Sequence, residues 1–287
     1  MNYRKRFRAA PGSRAALDRF DPGDTAGLGD KRKAERLLAH GIERLAREQD
    51  RLYAQKTWAV LVILQALDAA GKDSTIEHVM SGVNPQGCQV FSFKAPSEEE
   101  LGHDYLWRSV RALPERGRIG IHNRSYYEEV SVTRVHPELL SRERVPNLKS
   151  GRALWRQRFR EINQFERYLV DNGIAVVKFF LHISKEEQRR RFLDRLDEPE
   201  KFWKFKPADL IERARWDVYQ TAYTQVFRHT STPWAPWFVV PANHKWFTRL
   251  VVADILCDTL AGLDLEPRAL TKQERRERDK ARAALRV

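Results

Sequence analysis

Residues 68–74 carry side chains whose types and spacing suit phosphate chemistry. They follow the apolar run 58–64, and Gly71-Lys72 leads directly into an amphipathic segment. A strand, a turn of small residues and a helix N-terminus present backbone N–H groups to phosphate oxygens, and the lysine adds a mobile positive charge. The sequence therefore predicts a phosphate-binding loop. Its expected phosphate contacts are Ala70, Gly71, Lys72, Asp73 and Ser74.

This loop departs from the usual pattern in its composition. Ala66 stands where such loops open with glycine, and Asp73 stands where serine or threonine follows the lysine. Asp68 also places a carboxylate inside the loop, where it would repel phosphate unless a cation lay between them. The arrangement predicts a metal-bridged phosphate site. For the Gly71-Lys72 pair alone, an ordinary strand–turn–helix junction is the alternative interpretation.

A second candidate segment, Asn123–Glu129, follows the strand predicted at 118–122. Ligands of a parallel sheet gather beyond the carboxyl ends of its strands, so this segment is expected beside the loop. Arg124 and Lys72 would then stabilise the charge that develops during phosphoryl transfer. The alternative for Glu128 and Glu129 is a solvated first helical turn, where acidic residues favour the helix dipole.

A third segment, the helix predicted from Ser184, carries four arginines close together. Arg191 and Arg195 are four residues apart and therefore share one face. Such a helix is expected to close as a lid that brings positive charge and excludes water. The alternative is an exposed face paired with Glu186, Glu187 and Asp194.

Apolar runs alternate with helical patterns along the chain, which predicts an α/β fold with a parallel sheet and helices on both faces. The predicted strands cover 58–64, 88–93, 118–122, 174–183 and 238–240. The predicted helices cover 31–53, 98–113, 151–171, 184–196 and 246–263. We interpret 1–30 as an extended arm, 31–265 as one domain with a helical lid at about 184–232, and 266–287 as a basic tail.

The chain has 287 residues and a formal net charge of +13, which favours a polyanionic partner. Nucleic acid, an acidic membrane face and a phosphate polymer all satisfy that charge. The chain has two cysteines, and we find no signal peptide or apolar stretch of membrane-spanning length, so we expect a cytoplasmic protein without a membrane partner. Cationic residues crowd the middle of the chain: Arg142, Arg144, Lys149, Arg152, Arg156, Arg158 and Arg160.

Together these motifs resemble the type 2 polyphosphate kinases. The resemblance covers about residues 30–265 and rests on 67–73, 81–87, 93–97, 123–130, 189–195 and 202–205. It implies a P-loop kinase-like fold with a helical lid. It also implies reversible, magnesium-dependent transfer of phosphoryl groups between polyphosphate and an adenine nucleotide, with guanine nucleotides left open.

The resemblance also implies roles for single residues. Asp68 and Lys72 match the Walker A pair and, with Arg124 and Glu128, are the expected catalytic residues. Asp68 and Glu129 are the expected Mg²⁺ ligands. Members of the ADP-only group have aspartate at the position of Asn123. The asparagine here is similar to that of members that phosphorylate AMP as well as ADP, and the resemblance implicates Glu128 in the choice of acceptor. The further expected substrate-binding residues are Asn84, Lys94, Asn123, Arg134, Arg191, Arg195 and Lys206, and Lys149 and Arg152 are further candidates for the wall of a polyphosphate groove.

The predicted function is transfer of phosphoryl groups from polyphosphate to AMP and ADP, giving ADP and ATP. An ATP-dependent nucleoside or nucleotide kinase is one alternative. A non-enzymatic nucleic-acid-binding P-loop protein is another, but the sequence lacks a stripe of interleaved aromatic and basic residues, so nucleic acid is not the expected partner. The long helices flanking the sheet favour a homo-oligomer.

Overall fold

Five parallel strands form one sheet in the order β2-β3-β1-β4-β5. The computed structural model describes residues 2–12, 17–265 and 270–286. The strands are β1 (Ala59–Ala66), β2 (Cys88–Ser92), β3 (Ile119–Asn123), β4 (Ile174–His182) and β5 (Trp237–Pro241). The predicted α/β fold is confirmed, and each strand lies within two residues of its expected bounds at either end.

Helices cover both faces of this sheet. The chain contains α1 (Tyr3–Arg6), α2 (Lys31–Gln55), α3 (Lys72–Val79), α4 (Glu98–Leu101), α5 (Trp107–Arg111), α6 (Glu128–Val135), α7 (Gly151–Asp171), α8 (Lys185–Asp197), α9 (Ala208–Ala214), α10 (Trp216–Thr230), α11 (Lys245–Ala261) and α12 (Lys272–Ala284). Right-handed crossovers place α3 on one face and the helices between β3 and β5 on the other, because those connections run in opposite directions across the sheet. The packing agrees, since α11 contacts α2 and α3, whereas α10 contacts α6 and α7.

The register of the sheet determines which loops meet. Leu64 of β1 pairs with Asn123 of β3, and Ala66 at the end of β1 pairs with Leu181 of β4. Residues 59–65 are all buried, as expected of a strand covered on both faces. The phosphate-loop segment and the Asn123 turn therefore emerge side by side at the carboxyl edge of the sheet.

The N-terminal segment corrects the expectation of an extended arm. Residues 3–6 form the short helix α1, which Asn2 caps by accepting a hydrogen bond from the Lys5 N–H. The rings of Tyr3 and Phe7 pack edge-on against Phe247 of α11, with centroids 5.7 and 6.0 Å away. Burial of these two rings in the core outweighs the small intrinsic helix propensity of so short a segment.

Most of the basic tail is helical, since α12 covers 272–284, and none of the residues of this helix is buried. Residues 1, 13–16, 266–269 and 287, which belong to the expected arm and tail, lie outside the described residues. The predicted helix at 98–113 is divided into α4 and α5. None of the helices in the described ranges is long and apolar enough to cross a membrane.

Candidate active site

The loop between β1 and α3 has the backbone geometry of an anion-binding turn. Ala69 and Gly71 both adopt left-handed conformations, with φ of 62° and 101°. Gly71 is the residue before the first turn of α3, where a side chain would be strained at this φ. The loop therefore directs the free N–H groups of the α3 N-terminus toward the space above the sheet edge.

Lys72 lies at the start of α3 and folds back over the loop, with Nζ 3.3 Å from the carbonyl oxygen of Ala66. Burial and then the Arg124 charge lower its pKa, and the carboxylates of Asp68, Glu128 and Asp73 act in the opposite sense. Four of the expected site residues thus surround the Lys72 ammonium group.

The buried guanidinium group of Arg191 binds the backbone of this loop. Its nitrogens donate five hydrogen bonds. The acceptors are the carbonyl oxygens of Ala69 (2.9 Å), Ala70 (3.0 Å), Ala242 (2.6 Å) and Asn243 (3.1 Å) and the carboxylate of Glu187 (2.7 Å). The expectation that Arg191 faces polyphosphate is corrected, because its donors are used to tie the phosphate loop to the segment after β5.

Asn123 ends β3 and is bonded to the first turn of α3. Its Nδ2 donates to Asp73 Oδ1 at 2.6 Å, which joins two residues expected to bind substrate. The Asn123 Oδ1 atom is buried and has no hydrogen-bond partner among the described residues. An aspartate at this position would place a second carboxylate against Asp73, whereas the amide donates a hydrogen bond there without adding a negative charge.

Arg124 follows in a left-handed conformation, with φ of 65°, which directs its side chain across the sheet edge. Its guanidinium lies 3.5 Å from Asp68 Oδ1 and 4.0 Å from Glu128 Oε2. The charge of Glu128 is the main reason that the pKa of Arg124 is raised. Non-glycine residues in this conformation are strained and are often found at functional sites. The structure therefore brings Asp68, Lys72, Arg124 and Glu128 together.

A buried polar network supports the Arg124 turn. The Tyr126 and Tyr127 hydroxyls both donate to Glu166, at 2.9 and 2.8 Å, and Lys178 Nζ lies 2.5 Å from the same carboxylate. Lys178 also donates to the Thr230 carbonyl oxygen at 2.8 Å. All of these side chains are buried, so the two tyrosines are fixed by charged hydrogen bonds as well as by packing.

Glu129 corrects the expectation of a metal ligand beside Asp68. Its carboxylate lies 3.6 Å from Arg108 and 3.7 Å from Arg158, on the side of α6 that faces α7. Burial, followed by the Glu143 charge, raises its pKa to about 7 although both arginines oppose the shift. Two guanidinium groups contact this carboxylate, and it lines the larger cavity described below but not the smaller one that Asp68 lines.

Two cavities meet at Arg124, Glu128 and Val132. One, of about 390 Å³, lies between the 94–108 segment and α7, and Lys94, Tyr105 and Leu139 contribute to its lining. The other, of about 320 Å³, lies between the phosphate loop and α8–α10. Lys206, Asp209, Tyr219 and Tyr223 line this second cavity, together with Asp68 and Gln188. Arg124 and Glu128 therefore form the boundary between two adjacent spaces.

Several expected substrate-binding residues lie elsewhere. Asn84 caps the turn beyond the opposite end of α3, where its side chain accepts from the Gln86 N–H, so it is a structural residue. Arg134 lies over the rings of Trp155 and Phe159, at 5.0 and 5.8 Å, and does not line either cavity. Arg195 lies 3.4 Å from Asp209, a residue of the second cavity. Lys149 and Arg152 are exposed.

Two cations at the start of α11 were not among the predicted site residues. Arg249 Nη2 donates to the Ser74 hydroxyl at 3.1 Å, which brings α11 to the first turn of α3. Lys245 lies one turn earlier, and burial together with the charges of Arg191 and Arg249 lowers its pKa. These residues follow β5, whose carboxyl end lies at the same edge as the phosphate loop. Their position directly after the predicted strand at 238–240 could have identified them as candidate site residues.

The chain matches the family model described as Polyphosphate kinase 2 (PPK2) over residues 28–267. It is 50% identical over 274 residues to an ADP-polyphosphate phosphotransferase of Rhodopseudomonas palustris, covering 95% of each chain. It is 47% identical over 273 residues to an AMP/ADP-polyphosphate phosphotransferase of Meiothermus ruber, covering 94% of this chain and 98% of that protein. The crystal structure of polyphosphate kinase 2 from Arthrobacter aurescens TC1 superposes with a TM-score of 0.87 at 40% identity, covering 97% of this chain and 96% of that one. The chain therefore belongs to the polyphosphate kinase 2 family.

Proposed function

We propose that this protein transfers phosphoryl groups from polyphosphate to AMP and ADP, forming ADP and ATP reversibly. The observation that carries the proposal is the position of Arg124 and Glu128 between two cavities, directly beside Lys72 and Asp68. Donor and acceptor phosphates must meet at one point, and this boundary has the cationic groups that phosphoryl transfer requires.

The larger cavity fits the nucleotide. Its volume of about 390 Å³ is in the range of small-molecule sites, and apolar side chains such as Val132, Leu139 and Leu154 contribute to its lining. Lys94 and Arg124 supply positive charge at its polar side. A base and ribose bound there would direct the phosphate of AMP or ADP toward the phosphate loop.

In this arrangement the terminal phosphate oxygen of the nucleotide attacks the end phosphorus of the polymer in line. A new P–O bond forms as the bond to the next bridging oxygen breaks, and the shortened polymer leaves with that electron pair. Lys72, Arg124 and the N-terminus of α3 stabilise the charge on the transferred group. Lys245 and Arg249, on the donor side of Ser74, are the groups placed to hold the polymer end.

The helical segment 185–214 acts as a lid over the donor side. Lys206 and Asp209 line the smaller cavity, and Arg195 forms an ion pair with Asp209 beside it. Phe202 and Trp203 are 57% and 74% exposed, so closure would remove their rings from water. Closing this segment would exclude water from the reacting phosphates.

The cleft fits a magnesium ion that would be bound jointly by the protein and by the phosphates of the substrate. Asp68 is partly exposed at the loop, and its charge contributes to the raised pKa of Asp209, second to burial of that group. Across the described ranges we find no group of three or more His, Cys, Asp or Glu side chains able to hold a metal. Mg²⁺ characteristically uses one or two carboxylates and takes its remaining ligands from phosphates and water. Asp68 would hold the ion, which would neutralise charge on the bridging phosphates.

Use of AMP as well as ADP is part of the proposal. Asn123 keeps the β3 end neutral beside Asp73, and Glu128 faces both cavities. One relative is named for ADP and the other for AMP and ADP. The proposal of dual acceptor use therefore rests on Asn123 and Glu128 of this chain. Whether guanine nucleotides are accepted, and whether the chain forms a homo-oligomer, stay predictions.

The test is phosphoryl transfer by purified protein with magnesium and polyphosphate, with AMP and ADP offered separately. We expect ADP from AMP and ATP from ADP. Product from ADP alone would keep the donor but refute the assignment of Asn123 and Glu128. Transfer that needs ATP and proceeds without polyphosphate would support an ordinary nucleotide kinase, an alternative that the family membership does not favour.

A further inference from the structure

The arginines that crowd the middle of the sequence separate into two groups in the structure. Arg158 is buried against Glu129 and Glu143, and Arg144 lies 3.6 Å from Glu98. Three others lie on the exposed face of α7 at intervals of four residues. This exposed row, which we call the α7 ridge, consists of Arg152, Arg156 and Arg160.

No carboxylate of the described residues lies within ion-pair distance of any ridge arginine. Like charges four residues apart destabilise a helix by about 0.2–0.5 kcal/mol per pair. Ordinary surface helices offset such repulsion with acidic neighbours, as Arg189 and Arg190 of α8 do with Glu186 and Glu187. The α7 ridge instead offers a row of unneutralised charge to an external anion.

A groove of about 670 Å³ lies alongside the ridge, and Arg156 and Arg160 form part of its wall. Arg167 stacks over Trp234 at 5.4 Å on the same groove. The Trp234 Nε1 atom is buried and has no hydrogen-bond partner in the part of the chain that the structure describes. Arg167 is itself paired with Asp171 at 2.8 Å. The groove therefore offers two guanidinium groups that are unpaired within the described residues, those of Arg156 and Arg160.

The orientation of α7 connects this surface to the active site. The helix leads into β4, so its N-terminus lies at the carboxyl edge of the sheet, where the cleft is. Leu154 and Gln157, one face of its first turns, line the larger cavity, which adjoins the smaller donor cavity at Arg124, Glu128 and Val132. From Arg152 to Arg160 the ridge extends roughly 12 Å away from that edge, at 1.5 Å per residue.

We propose that the α7 ridge binds the distal phosphates of a long polyphosphate chain whose end is in the active site. The inference rests on the proposed use of polyphosphate as donor. The polymer carries about one negative charge per phosphate, and only its end can occupy the cleft, so the rest lies on the protein surface. A second copy of the chain fits the ridge poorly, because a two-fold contact there would bring like-charged arginines together.

The binding surface makes long polymers better donors than short ones. Contacts along the ridge add to the affinity of the bound end, as in any multivalent interaction. Tripolyphosphate would occupy the cleft alone and gain nothing from the ridge. The chain therefore selects polymer length through a surface outside the catalytic site.

The test compares Arg156→Gln/Arg160→Gln with the matched control Lys33→Gln/Arg36→Gln. The control removes the same charge from exposed positions on α2, which packs with α11 on the other face of the sheet. The KM for long-chain polyphosphate and for tripolyphosphate is measured over a range of salt concentrations. We expect the ridge variant to raise the long-chain KM roughly five- to tenfold at low salt and to reduce its salt dependence. Its tripolyphosphate KM and all control values should match the wild type.

An unchanged long-chain KM in the ridge variant would overturn the proposal, as would equal increases for both polymers or in both variants. A changed oligomeric state with the same long-chain KM would instead make the ridge a contact between copies. No transfer from either polymer by the wild type would refute the proposed function. In that case direct titration with long-chain polyphosphate still tests whether the ridge binds the polymer, because the ridge variant should bind it more weakly than the wild type and the control variant do.

Discussion

Arg191 Nη1 donates a hydrogen bond of 2.9 Å to the carbonyl oxygen of Ala69, the residue that holds the phosphate loop in its left-handed turn. The two residues are far apart in sequence, and the contact joins α8 to the loop between β1 and α3. The arginine is buried, so its charge serves the loop backbone. The loop geometry is consequently coupled to α8, the first helix of the proposed lid.

Replacing Arg191 should cost stability and activity together. Arg191→Met leaves buried carbonyl groups without donors, and we expect the free energy of unfolding to fall by about 3 kcal/mol with a large loss of kcat. Arg195→Met is the matched comparison, because Arg195 is partly exposed and makes only long polar contacts, 3.3 Å to the Lys204 carbonyl oxygen and 3.4 Å to Asp209. It should change stability by less than about 1 kcal/mol while raising the KM for polyphosphate. Equal free energies of unfolding for the two variants in urea would contradict the proposal that Arg191 stabilises the loop between β1 and α3.

Asn123→Asp should create a pH-dependent enzyme. The new carboxylate would face Asp73 across the present 2.6 Å contact, and the repulsion would raise the pKa of one of the pair. A shared proton at low pH restores the hydrogen bond, so the activity relative to wild type should be highest in acid and fall as the pH rises. Asn123→Ala, which adds no charge, should lack this trend. Parallel pH profiles for wild type and Asn123→Asp would show that the contact does not control the site.

Glu129 should make folding stability depend on pH near neutrality. Its folded pKa of about 7 is above the ordinary 4.5, so the protonated form is favoured by folding. The associated stability is complete below about pH 4.5 and is lost as the pH rises through 7. Between pH 5 and 8 the wild type should lose up to about 3 kcal/mol more unfolding free energy than Glu129→Gln. Identical losses in both proteins would indicate that Arg108 and Arg158 keep Glu129 ionised throughout.

The Lys178–Glu166 pair should show strong energetic coupling. Burial lowers the pKa of Lys178 to about 8, and Lys178→Met would leave the Glu166 carboxylate buried without its cation. We expect a loss of about 3–5 kcal/mol. Adding Glu166→Gln removes the unpaired charge and keeps an acceptor for Tyr126 and Tyr127, so the double variant should be more stable than Lys178→Met alone. Additive losses in a double-mutant cycle would mean that the two residues act independently.

The sheet and the convergence of three segments could be predicted because they depend on local patterns. The near-continuous apolar runs at 58–64 and 174–183 indicate buried parallel strands, and parallel strands place their following loops at one edge. The register of Leu64 with Asn123 then brings Asp68, Lys72 and Arg124 together. These expectations needed no knowledge of tertiary contacts.

The errors concern side chains whose direction is set by long-range packing. Glu128 and Glu129 are adjacent, but successive residues of a helix point about 100° apart, and only the packing of α6 against its neighbours decides which one lies beside Arg124. Arg134 is on the same helix and is directed toward aromatic rings of α7. Arg191 shares a face with Arg195, as predicted, but the carbonyl groups that it binds come from two distant loops. No local pattern reports such contacts.

The most direct test of the account compares Lys72→Ala with the wild type in the transfer of phosphoryl groups from polyphosphate to AMP and to ADP. Loss of the loop cation should remove at least about 3 kcal/mol of transition-state stabilisation, a fall in rate of more than about a hundredfold, with both acceptors. The far-ultraviolet circular dichroism and unfolding midpoint of the variant should match those of the wild type. Near-normal transfer by a folded Lys72→Ala protein would contradict the assignment of this loop as the phosphoryl-transfer site.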